Sequence, residues 1–178
     1  SRSRLKRHRP PLQRGSSACA MNSAMEEWMA KAPAEEVLEP DLPIIDAHHH
    51  LWDHSGMAPR AGPPRQRVYM LPEILADIRS SGHNVVRTVH VQAGSFHAAA
   101  GLEELRPVGE SEFVQGVAAM CESGLYGPTV VGSAIVGTAD LRHPNVEAAL
   151  RAHMRSRNFV GIRMQRRRQA PVPLGADD

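Results

Sequence analysis

Four short apolar runs, separated by amphipathic segments, constrain this chain more than any other feature. They are "IIDAH" at 44–48, "VVRTVHVQ" at 85–92, "TVVGSAIVGTA" at 129–139 and "FVGIRM" at 159–164. Runs of this length, rich in β-branched residues and bounded by turn residues, are strands. The second is β-branched almost throughout, as parallel strands buried on both faces are. Between the runs the apolar period lengthens to that of a helix. Pro72 suits a first turn, Ile74, Leu75 and Ile78 form a stripe, and Gly82 stops the helix predicted at 72–81. Phe113, Val117 and Cys121 repeat every four residues in a second helix, predicted at 110–123. Pro144 opens a third, whose expected stripe is Val146, Leu150 and Met154. Strand and helix in alternation predict an α/β fold: a parallel sheet with helices packed outside it.

Loop lengths point to one end of that sheet. Helix-to-strand connections are short, such as "SGHN" at 81–84, whereas the strand-to-helix segments 51–71 and 93–109 are long. In α/β folds the loops leaving the carboxyl ends of strands build the site. The first strand runs to that end as "IIDAHHHLWD", residues 44–53. Alternation places Asp46, His48 and His50 on one face, with Ala47 and His49 on the other. Two imidazoles at i and i+2 can reach one divalent ion, and neutral imidazole suits zinc, iron or manganese. His49 is expected to turn toward the helix layer and is not assigned as a ligand. A catalytic zinc takes about three protein ligands, so the pair is not yet a site. In a chain with ten histidines, solvated or buried side chains are the competing reading.

The net charge of +2 is unevenly spread. Residues 1–25 hold six basic side chains and no acid, leaving 15 positive against 19 negative residues beyond them. That Arg- and Ser-rich leader reads as a disordered or non-native segment, a transit peptide, or a basic nucleic-acid arm. Residues 26–40 read as a short helix broken at Pro33 and then a linker. No run of about 18 apolar residues occurs, so no membrane-spanning helix is expected. Cys19 and Cys121 make no disulfide framework, and a reducing compartment is the default. The expected location is cytoplasmic, or a mitochondrion or plastid if the leader is a transit peptide.

"IIDAHHHLWD" resembles the first-strand signature of the amidohydrolase superfamily, within it the amidohydrolase-related group that includes sugar lactonases and pyrone dicarboxylate lactonase. "YMLPEILADI", "VVRTVHVQAG", "VGTADL" and "FVGIRMQ" are similar to segments of that group in the same order, so the likeness spans about residues 43–165. It implies a (β/α)8 TIM-type barrel and hydrolysis of a lactone or similar cyclic ester. Metal-dependent decarboxylases occur among the relatives. Most members hold one or two divalent metals, and some lactonases hold none. On this resemblance His48 and His50 match the metal pair, zinc being the expected ion, and Gln92 and Arg163 match positions that face a small-molecule substrate. A guanidinium at a strand's carboxyl end offers a bidentate fork to a carboxylate or lactone oxygen. A salt bridge within the barrel is the rival role for Arg163, and a polar cap on the strand end is that for Gln92. Asp140 and His143 read as caps of the helix that Pro144 opens.

The departures shape the expectation further. A barrel of this type needs about 250 residues, and four strands are legible here. The expected division is a disordered leader and linker at 1–40, an N-terminal half-barrel at 41–165 and a disordered tail at 166–178. The aspartate that serves the family as general acid/base lies beyond this chain, which is expected to be a truncated form without turnover of its own. Exposed sheet edges predict self-association. A non-catalytic half-barrel is the reading from a different class. The arginine run 166–168 has no interleaved aromatics, which argues against a nucleic-acid site.

Overall fold

Each of the four β-branched runs forms a strand of one parallel sheet. The computed structural model describes residue 31 and residues 36–56 and 66–164. The leader, most of the short helix expected within 26–40 and the tail lie outside the described residues, and 36–40 is irregular. In chain order the elements are β1 (Ile44–His49), β2 (Trp52–Asp53), β3 (Val68–Tyr69), α1 (Leu71–Ser80) and β4 (Val85–Val91). A 3-10 turn (Glu103–Leu105), α2 (Val108–Glu122), β5 (Val130–Gly137), α3 (Val146–His153) and β6 (Phe159–Ile162) follow. All of them belong to one compact unit. The large sheet has the order β1-β4-β5-β6, with every neighbouring pair parallel. Strand order therefore follows chain order without reversal.

The long loop after β1 contains an element that the sequence pattern did not give: β2 and β3 pair as a two-stranded antiparallel ribbon. Strands of two residues carry no readable period. Trp52 stacks on Tyr69 across the ribbon at 5.0 Å, and the Tyr69 hydroxyl donates to Asp77 of α1 at 2.6 Å. The core joins Leu51, Leu71, Ile74, Leu75, Val117, Cys121 and Val131, so α1 and α2 pack on the face of the sheet that Val131 presents. α3 covers the same face further along, where His153 stacks on Phe159 at 5.1 Å. Its expected stripe needs correction. Ala149, Ala152 and His153 are its buried residues, while Met154 is 68 % exposed because the helix ends one residue before it.

Bulges break the alternation within the sheet. Asp46 pairs with Thr88 and His49 with His90, three steps along β1 against two along β4. Thr88 and His90 share the helix-facing side, so Asp46 shares it with His49 and not with His48, which corrects the predicted grouping. In β5, Arg87 pairs with Val130 and Val89 with Ala134, leaving two extra residues. Gly132 turns that bulge at φ +71°, and a Cβ there would lie 2.6 Å from Cγ1 of Val114, itself fully buried. Gly132→Ala is expected to cost about 2 kcal/mol, from strain at positive φ and overpacking together. A urea denaturation midpoint equal to that of the unchanged chain would contradict this account of the bulge.

Candidate metal and substrate site

The carboxyl ends of β1, β4 and β6 bring four of the sequence-selected residues into one chain of contacts. β1 ends at His49, and the chain turns there so that the rings of His48 and His50 meet edge to face, their Nε2 atoms 3.3 Å apart. His48 is exposed and His50 half-buried. His50 Nδ1 lies 2.6 Å from the carbonyl oxygen of Val91, the last residue of β4. A carbonyl only accepts, so Nδ1 carries the proton and, in the neutral ring, Nε2 presents its lone pair. The next residue, Gln92, is buried; its N–H donates to Val136 O at 2.8 Å and its carbonyl accepts from Arg163 Nη2 at 2.7 Å. Arg163 follows β6 and hydrogen-bonds back to Gly137 through its own N–H. The contacts thus run from His48 to His50, to Val91 and Gln92, and on to Arg163.

This geometry bears on whether the pair suits a metal. Two nitrogens each about 2.05 Å from a tetrahedral ion lie about 3.3 Å from one another. The His48–His50 separation matches that spacing. A ligating histidine normally gives its other N–H to a carbonyl or carboxylate, which fixes ring and tautomer. His50 has that bond already. The donor set fits zinc in kind and spacing but not in number: among the described residues no three His, Cys, Asp or Glu side chains are grouped to hold an ion. Asp46 is not part of the set; it accepts the backbone N–H of His48 at 3.0 Å.

Among the described residues Arg163 is a cation without an acid. Among the described residues it has no carboxylate at ion-pair distance, and its Nε is buried without a hydrogen-bond partner. The rival expectation, a salt bridge within the sheet, is therefore not what this side chain makes among those residues. Asp140 and His143 sit before α3. Asp140 binds Arg142, which holds its carboxyl down at about 2, and His143 Nδ1 accepts the N–H of Asn145 at 3.1 Å. Neither caps α3, whose N-cap is Asn145 without a side-chain cap hydrogen bond: Asp140 fixes the preceding turn, and His143 holds the N–H of Asn145.

Beneath this rim lies a buried polar layer that the sequence reading missed. His49, 7 % exposed, shares a hydrogen bond of 2.8 Å with the Thr88 hydroxyl and meets His90 edge to face at 5.4 Å. Burial, aided by His90, pulls the His49 pKa down to about 4, so the ring is neutral near pH 7. Its turn away from His48 and His50 is the one expected from alternation. Glu110, third residue of α2 and 2 % exposed, accepts from Ala93 N at 2.7 Å and Gly94 N at 3.3 Å, from His90 Nε2 at 3.3 Å, and faces His97 Nε2 at 3.5 Å. Burial alone would raise its pKa. The hydrogen bonds from His90, His97 and Ala93 outweigh that and hold it down at about 2.

Glu110 thereby ties the loop after β4 to α2. The same loop carries Phe96 at φ +59°, stacked on Phe113 at 3.9 Å, and its carbonyl would lie 2.6 Å from any Cβ at Gly109. A second buried pair joins Ser111 Oγ to His153 Nδ1 at 2.8 Å, while His153 Nε2 donates to Thr138 O at 3.0 Å. Both residues are fully buried, so this serine–histidine pair joins helix to helix and reaches no substrate. The signal that could have found the layer was a histidine at the centre of the buried run "VHV", and a glutamate in the first turn of a helix that follows a long loop.

No family model matches the chain, and no solved structure does. It is similar to a curated protein of Sinorhizobium fredii, described as Uncharacterized protein y4mH, with 33 % identity over 135 residues. The match covers 69 % of this chain and 40 % of that protein, so the chain spans about two fifths of the length of the relative it matches.

Proposed function

We propose that this chain is part of a (β/α)8-barrel hydrolase of the amidohydrolase-related kind, which opens a lactone or similar cyclic ester bearing an anionic group. The observation that carries the reading is the His48–His50 pair, spaced for one tetrahedral ion at the carboxyl end of β1 with His50 held by Val91 O. Parallel strands in chain order, with helices on one face, support the barrel. His48 and His50 would hold zinc, which when bound supplies Lewis acidity toward the ester carbonyl. Arg163, tethered through Gln92 O, would offer the accessible part of its half-buried guanidinium to a substrate oxygen. Gln92 sets the position of that guanidinium through its main chain. The water-activating group belongs to the part of the barrel beyond these four strands, so the chain alone is expected to bind substrate without turning it over.

A decarboxylase of the same group would use the same pair and the same guanidinium, and differs in releasing carbon dioxide from a carboxylate rather than opening a ring. The test is ligand-observed NMR with carboxylated and uncharged lactones. Carboxylated lactones are expected to bind, with a loss of about tenfold or more in Arg163→Gln, the worth of a charge-assisted hydrogen bond. Equal binding of charged and uncharged lactones, unaffected by that substitution, would contradict the substrate assignment.

A further inference from the structure

Among the described residues Arg163 has no carboxylate at ion-pair distance, and the buried Glu110 has no arginine or lysine there. Between the two stands one peptide group. The carbonyl of Gln92 accepts from Arg163 Nη2 at 2.7 Å, and the N–H of Ala93 donates to Glu110 Oε1, also at 2.7 Å. Both atoms belong to the same planar, trans unit, whose C=O and N–H point in opposite directions and cannot turn independently. Holding the N–H on one side therefore aims the carbonyl on the other.

We infer that Glu110 is the positioning residue of Arg163: through the Gln92–Ala93 peptide it sets where the guanidinium lies for an anionic substrate group. The substrate rests on the hydrolase reading given above, whereas the relay itself does not.

The carboxylate is well fixed for this role. It is 2 % exposed and accepts also from Gly94 N and His90 Nε2, each at 3.3 Å. Its pKa, held down at about 2, keeps it ionised near neutral pH. Gln92 is 4 % exposed, and its own N–H is held by Val136 O at 2.8 Å, which fixes the peptide from the strand side. Hydrogen bonds in series polarise one another, so an ionised acceptor on the N–H makes the carbonyl a stronger acceptor for the guanidinium. The arrangement is an ion pair with one peptide inserted, and it leaves the accessible part of the guanidinium to a ligand.

Side-chain NMR of the 15N-labelled full chain reads the position of Arg163 without any ligand. Its Nη–H signals are expected to be resolved, and to be lost by averaging in Glu110→Met, which keeps the side-chain length and has only a weak thioether acceptor. Glu110→Gln, whose amide oxygen can still accept from Ala93, is expected to keep them. Leu75→Ala, which removes a buried leucine of α1 and weakens the fold elsewhere, is expected to keep them too. Signals unchanged in Glu110→Met, or lost equally in Leu75→Ala, would overturn the relay. If Glu110→Met does not fold, the measurement is the scalar coupling between Ala93 N and the Glu110 carboxyl carbon in the unchanged chain. Its presence would support the relay and its absence would overturn it.

Binding is read separately. A carboxylated lactone is expected to bind Glu110→Met about fivefold or more weakly than the unchanged chain, the low end of coupling between two sites. Because Glu110 acts through Arg163, the double variant Glu110→Met/Arg163→Gln is expected to bind no more weakly than Arg163→Gln alone. Losses that simply add would overturn the assignment. A lactone that binds none of these chains would remove the hydrolase reading, and the Arg163 signals would still decide the relay.

Discussion

Glu110→Ala is expected to cost the fold about 3–5 kcal/mol, the loss typical of removing one member of a buried ionic network. Its carboxylate accepts from Ala93 N, Gly94 N and His90, and the His90 ring, 1 % exposed, would lose its acceptor in a buried place. Glu110→Gln should cost less, because an amide oxygen still accepts from the loop while its NH2 opposes the histidine donor. The same group makes stability depend on acid. Its folded pKa, about 2, lies below the ordinary 4.5 of the unfolded chain. The stabilisation is therefore complete above about pH 4.5 and is lost as the pH falls toward 2, to the extent of about 3 kcal/mol. Urea melts at a series of pH values check this. Glu110→Ala should flatten the acid limb; an equally steep limb in the variant would assign the loss to other groups.

Leu51→Ala is expected to cost about 3 kcal/mol or more, within the usual range for a buried leucine. Leu51 follows the histidine triplet directly, is fully buried, and enters the cluster of Leu71, Ile74, Leu75, Val117, Cys121 and Val131. It anchors the turn that presents His48 and His50, so the substitution should loosen the pair as well as the fold. Histidine side-chain NMR signals that broaden in Leu51→Ala would show this. A stability loss under 1 kcal/mol would mean that the site end of β1 is held by the sheet alone.

Strands were legible where β-branched residues dominate, as in "VVRTVHVQ", although the expected burial on both faces is not found: Arg87 is exposed and Val89 half-buried. α1 was legible to within a residue through Pro72 and Gly82. What the pattern could not give were events that depend on neighbours. The bulge between Asp46 and His49 is a register matter settled by β4, so strict alternation put Asp46 on the wrong side. The two-residue strands β2 and β3 exist because Trp52 and Tyr69 meet, and neither has a period of its own. At the rim, the type and spacing of His48 and His50 were readable from three adjacent letters, while the Val91 carbonyl that orients His50 lies 41 residues away. Glu110 escaped notice for a related reason. A glutamate in a helix looks like a solvated charge until the loop N–H groups that it accepts from are in place.

Zinc affinity of the full chain, measured by competition with a chromophoric chelator, tests the His48–His50 assignment most directly. The assignment predicts measurable binding that falls by about tenfold or more in both His48→Ala and His50→Ala, the scale of losing one ligand or its support. His83→Ala, an exposed histidine in the turn before β4, should leave the affinity unchanged. Absence of zinc binding, or binding lost equally in His83→Ala, would contradict it.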